Sequence, residues 1–79
     1  MRYVYILESE AERERFYIGV TADLRTRMRG HNAGKVAHTP KYAPWRVKTY
    51  VTFSEHDQAY SFERYLKSAS GRAFAKKRL

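Results

Sequence analysis

Alternating apolar positions at the start of the chain predict two β-strands. In residues 2–8 both alternating sets are apolar, which is typical of a strand covered on both faces, and residues 16–21 alternate in the same way. The charged segment Glu8 to Arg15 joins the two strands directly, so we predict an antiparallel hairpin. In that hairpin Tyr5 and Tyr17 can share a face, although a slip of one residue in the register would separate them.

The second strand has a simple division between its two sides. Phe16, Ile18 and Val20 are predicted to enter a core, while Tyr17 and Gly19 face the other way. Because Gly19 has no side chain, it leaves the backbone open to close approach by a ligand or by another segment.

The next residues, 22–32, predict the first helix, with Thr21 as its N-cap. Two pairs on this helix are four residues apart, and each pair shares a face: Leu24 with Met28, and Arg27 with His31. The first pair can be buried, and the second can line a cleft beside the tyrosine.

Beyond this helix the pattern predicts a long ordered loop over residues 35–45. Within it we interpret Trp45 as a residue that closes the core. A third strand follows over residues 47–53, with one apolar face. The residues of that face are Val47, Thr49, Val51 and Phe53.

A second helix is predicted over residues 55–68, because Ser54 and Asp57 have the spacing of a capping box. Its apolar stripe consists of Ala59, Phe62 and Leu66. The tail, from residue 70 or 71 to residue 79, is either a short helix docked by Phe74 or frayed. The predicted fold class is therefore α+β: a three-stranded antiparallel sheet flanked by helices in the order β-β-α-β-α, with or without a short C-terminal helix.

Length and composition narrow the class of protein. The 79 residues suffice for one domain, over residues 1–79. The chain has no cysteine, which excludes disulfides and thiolate metal sites. No apolar run has the length of a signal peptide or a transmembrane span, so we expect a cytoplasmic protein without a membrane partner.

The charge is strongly positive and unevenly distributed. The net charge is +8, and residues 21–50 carry seven Lys or Arg against a single acid. Such a field favours a polyanion, although solubilising charge or an anionic membrane surface are alternatives. Twelve aromatic residues favour nucleic acid. The residues predicted to bind it are Arg25, Lys35, His38, Lys41 and Arg46.

Five side chains could together hydrolyse a phosphodiester. Glu63 is the only acid between Asp57 and the C-terminus, and one carboxylate is a sufficient protein ligand for Mg²⁺. Arg27 could bind the scissile phosphate, and His31 could assist proton transfer or bind phosphate. Tyr17 or Tyr5 could orient or deprotonate the attacking water, if metal and arginine lower the pKa of the phenol.

Each of these residues also has an ordinary structural explanation. A lone helical glutamate is most often an ion-pair partner, here of Arg64, Lys67 or Arg27. Arginine and histidine on a helix can occupy a solvated face, and tyrosines in strands usually serve packing.

The same residues form an ordered set of motifs along the chain. They are Tyr3-Val4-Tyr5, then Tyr17-Ile18-Gly19, then Leu24 with Arg27 and His31, and finally Ala59 with Glu63, Leu66 and Lys67. This set, which covers nearly the whole chain, resembles the GIY-YIG nuclease superfamily, in particular its small single-domain branch known as the YhbQ-like or UPF0213 proteins. The resemblance implies a three-stranded antiparallel sheet flanked by helices, and hydrolysis of DNA with one divalent metal, Mg²⁺ or Mn²⁺ in its place.

The resemblance also implies a role for each site residue. Tyr5 and Tyr17 correspond to a water-activating or water-positioning pair. Arg27 corresponds to the phosphate-binding arginine, His31 to a histidine frequent in the active site, and Glu63 to the metal ligand.

Three departures from the family pattern limit what can be carried over. Tyr3 and Val4 stand where glycine and isoleucine are expected, and no asparagine follows Glu63. The appended DNA-binding domains of larger relatives are also absent from this sequence. We therefore expect weak or structure-directed recognition of branched, damaged or single-stranded DNA. The alternatives are a non-catalytic nucleic-acid-binding module, and an accessory domain that docks a larger repair or transfer complex.

Overall fold

The structure of the chain is a computed structural model that describes all residues, Met1–Leu79. Three strands, three α-helices and a single 3-10 turn account for most of the chain. In chain order they are β1 (Arg2–Ser9), β2 (Phe16–Thr21), α1 (Leu24–Asn32), the 3-10 turn (Pro40–Tyr42), β3 (Trp45–Phe53), α2 (His56–Lys67) and α3 (Ala69–Arg78). None of the three α-helices has the length and apolar character needed to cross a membrane.

The three strands form one antiparallel sheet in the order β2-β1-β3, which confirms the predicted fold class. In the hairpin Tyr5 lies opposite Gly19, and Leu7 lies opposite Tyr17. Residues directly opposite each other in an antiparallel pair point to the same side of the sheet. Tyr5 and Tyr17 therefore share a face, as predicted.

A β-bulge interrupts the pairing of β1 with β3. Ile6 lies opposite Thr49, whereas the next residue, Leu7, lies opposite Val47, which leaves Lys48 as the extra residue of β3. The bulge moves Val47 to the Tyr5 side of the sheet. The prediction that Val47 shares a face with the later apolar residues of this strand is therefore wrong.

The sheet is covered on both faces by two separate apolar clusters. On one face α2 and α3 pack over Val4 and Ile6, with Ala59 and Leu66 as the buried residues of α2. On the other face α1 and the segment after it pack over a cluster of three buried residues: Tyr5, Leu7 and Trp45. Trp45 is 3% exposed, so its interpretation as a residue that closes the core is confirmed.

Phe16 was predicted to enter the core and does not. It is the first residue of β2 and is 44% exposed. It lies opposite Glu8 near the end of the β1–β2 ladder, whereas Ile18 and Val20 pack against the core under α2 and α3.

Both predicted helix caps differ from those observed. The N-cap of α1 is Asp23, whose carboxylate accepts hydrogen bonds from the backbone N–H of Thr26 at 3.1 Å and from its hydroxyl at 2.8 Å. These two bonds lower the pKa of Asp23 below its ordinary value. Thr21 accepts instead from the N–H of Asp23, and so stabilises the turn before the helix. In α2 the N-cap position is Glu55, and Ser54 forms no capping box.

The tail forms a third helix of ten residues, α3. Ser68 caps it by accepting from the N–H of Gly71 at 3.1 Å. A Cβ at Gly71 would collide with the carbonyl of Tyr65, so only glycine permits this close approach of α3 to the end of α2. Of the two alternatives for the tail, the structure selects the helix.

Candidate active site

The site is organised around Tyr5, in the middle of the central strand. Its side chain has no exposed surface, and its ring lies across Gly19 of the neighbouring strand. A Cβ at Gly19 would collide with the ring and hydroxyl of Tyr5. The close approach predicted at Gly19 is therefore made by another segment of the chain.

A buried chain of hydrogen bonds links Tyr5 to α1 and to the segment after it. The hydroxyl of Tyr5 lies 2.9 Å from Nε2 of His31, and Nδ1 of His31 lies 3.1 Å from Oγ1 of Thr39. The hydroxyl of Thr39 donates to the carbonyl of Val36, so its oxygen accepts from Nδ1–H of His31. His31 therefore carries its proton on Nδ1 and accepts the hydroxyl proton of Tyr5 at Nε2.

Burial changes the acid–base properties of both partners. Desolvation lowers the pKa of His31, and the positive charge of Arg27 lowers it further, so His31 is neutral near pH 7. Desolvation also raises the pKa of Tyr5 above its ordinary value, and the Arg27 side chain opposes this increase. The protein alone thus keeps the Tyr5 phenol protonated, rather than lowering its pKa as a general base would require.

Tyr17 lies beside the hydrogen bonds that link Tyr5, His31 and Thr39, and it is half-buried. Its ring meets the ring of His31 edge-on, with 4.8 Å between centroids, and lies 6.3 Å from the ring of Tyr5. Tyr17 is therefore the one of the two phenols that solvent reaches.

Arg27 is one turn before His31 on α1 and is exposed to solvent. Interaction with the Tyr5 phenol raises the pKa of Arg27, with smaller contributions from Tyr17. A permanent positive charge thus lies at the solvent side of the two tyrosines, where a phosphate could approach.

Glu63 reaches the site from α2, on the other face of the sheet. Its carboxylate is 14% exposed and lies 2.6 Å from Nζ of Lys67, one turn along the helix. It is close enough to Tyr5 to raise the pKa of that phenol slightly. Of the three ion-pair partners that the sequence offered for Glu63, the structure selects Lys67.

The residues predicted to bind nucleic acid are all exposed. Four of them, Arg25, Lys35, His38 and Lys41, belong to α1 or to the segment after it, on the Tyr5 side of the sheet. Arg46 is the fifth, and its guanidinium pairs with Glu8 at 2.6 Å, so its charge is partly neutralised.

Two supporting residues had no predicted role. Thr39 is 1% exposed and fixes the tautomer of His31. Asn32 joins α1 to β3, because its side chain accepts from the N–H of Trp45 at 2.6 Å and donates to the carbonyl of Trp45 at 3.1 Å. No local pattern marks either residue, because Thr39 meets His31 and Asn32 meets Trp45 only in the folded chain.

Comparison with known proteins confirms the family resemblance of the sequence motifs over nearly the whole chain. The family model of the GIY-YIG catalytic domain matches residues 1–78. A UPF0213 protein of Streptococcus pyogenes serotype M5 is 35% identical over 72 residues, which are 90% of this chain and 76% of that protein. The solution NMR structure of a UPF0213 protein from Bacillus halodurans has a TM-score of 0.57 and 31% identity, and the match covers 96% of this chain and 81% of that one.

A much longer relative matches as well. The protein named structure-specific endonuclease subunit SLX1 homolog, of Giardia intestinalis, is 38% identical over 65 residues, which are 77% of this chain. The matched segment is only 18% of the Giardia protein.

Proposed function

The chain belongs to the GIY-YIG catalytic-domain family, and from this premise we propose that it is an endonuclease that hydrolyses DNA phosphodiester bonds with a divalent metal ion and little sequence specificity. The observation that carries the proposal is that side chains from four elements lie near the Tyr5 phenol. Tyr5 comes from β1, Tyr17 from β2, Arg27 and His31 from α1, and Glu63 from α2. The pKa of Tyr5 is influenced by Tyr17, Arg27 and Glu63, which supports their proximity.

The residues divide into those that meet the substrate and those that position them. Arg27 binds the scissile phosphate and offsets the charge that develops there, and Tyr17 orients the attacking water. Tyr5 and His31 are positioning residues, because both are fully buried and hydrogen-bonded to each other. Thr39 holds His31 in the tautomer that accepts from Tyr5.

A hard divalent cation such as Mg²⁺ or Mn²⁺ fits this donor set better than a softer metal ion that prefers sulfur or several imidazole ligands. The chain contains no group of three or more His, Cys, Asp or Glu side chains that could hold an ion by themselves. Mg²⁺ keeps several waters and needs only one or two carboxylates together with phosphate oxygens, so Glu63 would hold it with the substrate. The ion would polarise the phosphate and favour deprotonation of water.

Substrate recognition by shape is consistent with the surface of the protein. The exposed cations on the α1 side would contact the phosphate backbone, which carries no direct sequence information. The Giardia relative is named as a subunit of a structure-specific endonuclease, which supports branched or otherwise irregular DNA as the substrate.

The test is a cleavage assay on duplex, single-stranded, branched and damaged DNA and on RNA, with and without Mg²⁺ or Mn²⁺. We expect nicking that requires the metal and falls by about 100-fold or more in Glu63→Gln and in Arg27→Ala. Glu55→Gln and Arg64→Ala are matched controls, because each removes the same charge at an exposed position of α2 or its N-cap. Circular dichroism of each variant checks that it is folded.

Two outcomes would overturn the proposal. Cleavage that persists in both site variants would come from a contaminant. A wild-type protein that binds every nucleic acid in a salt-sensitive manner, and cleaves none with metal, would be the non-catalytic binding domain instead.

A further inference from the structure

A second cationic surface lies on the α2 and α3 side of the sheet. It is a cleft of about 780 Å³ between the strands β1 and β2 and the helix α3. Part of its lining is apolar and includes Ile6, Ile18 and Leu66. Five cations also line it: Arg15, Lys48, Lys67, Arg72 and Lys76. Only one acid, Glu14, lines the same cleft.

The side chains of two of these cations form neither a hydrogen bond nor an ion pair. Arg15 pairs with Glu12, Lys67 pairs with Glu63, and Lys48 donates to the main-chain oxygen of Leu79. Arg72 and Lys76 form no ion pair, and they are four residues apart on α3, so they lie on one face of that helix. Their charges are thus available to an anion that enters the cleft.

The cleft adjoins the candidate active site at Tyr17 and Lys67. Tyr17 lines the cleft and also packs against His31. Lys67 lines the cleft and also contacts the carboxylate of Glu63. A polyanion bound at Glu63 can therefore extend past Lys67 into the cleft.

We propose that this cleft binds a single strand of DNA that leaves the cleavage point, with Arg72 and Lys76 as its phosphate contacts. The inference rests on the proposed function, since it assigns a path to one arm of the same substrate. Single-strand sites combine a positive groove with apolar or aromatic surface for unstacked bases. The cleft offers both, because Phe16 is exposed at its lining and Ile18 lies beside it.

The apolar lining of the cleft favours a single strand over a duplex. A rigid duplex presents phosphates but no free base faces, so it would gain nothing from the apolar lining. The α1 side carries a separate set of exposed cations and is available for a duplex arm. A substrate with both a duplex and a single-stranded arm would therefore use both sides of the sheet.

The experiment compares two double variants of α3. Arg72→Ala with Lys76→Ala removes the two free charges of the cleft, and Lys77→Ala with Arg78→Ala removes two exposed charges outside its lining. Fluorescence anisotropy measures binding of an oligothymidylate and of a duplex of equal length, in EDTA so that no cleavage occurs. We expect the cleft variant to bind the single strand about ten-fold more weakly, and its log–log salt slope to decrease by about 1.4 for two lost phosphate contacts. The control variant should change either affinity by less than about two-fold.

A second measurement uses the unmodified protein. Titration with the oligothymidylate should shift the amide NMR resonances of residues 16–18 and 72–76. Resonance shifts confined to α1 would overturn the inference. An equal loss of single-strand affinity in the two double variants would also overturn it. So would a cleft variant that loses the same affinity for the single strand and for the duplex. Because these measurements involve no cleavage, they can fail while metal-dependent nicking stands, and nicking can be absent while the cleft binds the strand.

Discussion

The hydroxyl of Tyr5 and Nε2 of His31 are joined by a 2.9 Å hydrogen bond that is fully enclosed by the protein. The bond connects residues 26 positions apart, one on the central strand and one on α1. It gives the two residues a structural role that the other phenol of the site, Tyr17, does not have. Their different environments lead to different expected effects of mutation.

Removal of the Tyr5 hydroxyl should lower stability. In Tyr5→Phe the buried Nε2 of His31 loses its partner, and we expect the free energy of unfolding to fall by about 1 to 3 kcal/mol in urea denaturation. Tyr17→Phe, at a half-buried position, should change it by less than about 0.5 kcal/mol while lowering cleavage. Equal losses of stability in the two variants would contradict the distinction between them.

Stability should also depend on the protonation of His31. Burial lowers the pKa of His31, so the unfolded chain binds a proton at this site more tightly than the folded protein does. This contribution to stability is complete above the unfolded-state pKa of about 6.5 and is lost as the pH falls below it. Urea midpoints between about pH 7.5 and about pH 5 measure the loss. His31→Gln should flatten the profile, and an unchanged slope in this variant would contradict the assignment to His31.

Gly19 should tolerate no side chain while Tyr5 is present. In Gly19→Ala the new Cβ would collide with the Tyr5 ring, and we expect a loss of about 1 to 3 kcal/mol. Gly30→Ala, inside α1, is the matched control, because the nearest neighbour of its new Cβ would be Val36 at 3.7 Å, an ordinary contact distance. This variant should be neutral or more stable than the wild type. A double-mutant cycle with Tyr5→Ala tests the cause, since the cost of Gly19→Ala should then largely disappear. An additive cycle would refute this explanation.

Lys67 should compete with the metal ion for Glu63. Its ammonium group contacts one carboxylate oxygen of Glu63 at 2.6 Å. Lys67→Met should therefore tighten Mn²⁺ binding by about two-fold to about five-fold, which corresponds to the free energy of a partly exposed ion pair. Titration calorimetry without DNA measures this directly. Arg64→Met controls for the general loss of positive charge on α2. If both variants gained the same Mn²⁺ affinity, the contact of Lys67 with Glu63 would have no specific effect on metal binding.

The alternation of residues in β1 and β2 predicted that Tyr5 and Tyr17 can share a face, and the register of the hairpin confirms it. A strand has a period of two, and the short connection between the strands allowed only a hairpin. The i, i+4 spacing likewise predicted that Arg27 and His31 lie on one side of α1, whereas the choice of Lys67 among three candidate partners of Glu63 came from the structure.

Local patterns failed where two neighbouring residues could perform the same task. Thr21 and Asp23 are both good capping residues, and the path of the backbone decided that Asp23 caps α1. The bulge at Lys48 escaped prediction for a different reason, because an uninterrupted alternation in β3 gives no sign of an extra residue. It reversed the side to which Val47 points.

The sequence by itself determined the fold class, the side-chain directions in the hairpin and the concentration of positive charge. These properties depend on residues a few positions apart or on composition alone. Only the tertiary structure decided that His31 is buried between Tyr5 and Thr39, that the pKa of Tyr5 is raised, and that α3 closes a cationic cleft beside Tyr17. Those features depend on segments that meet through packing of the sheet against its helices, and desolvation acts on a side chain only after that packing has formed.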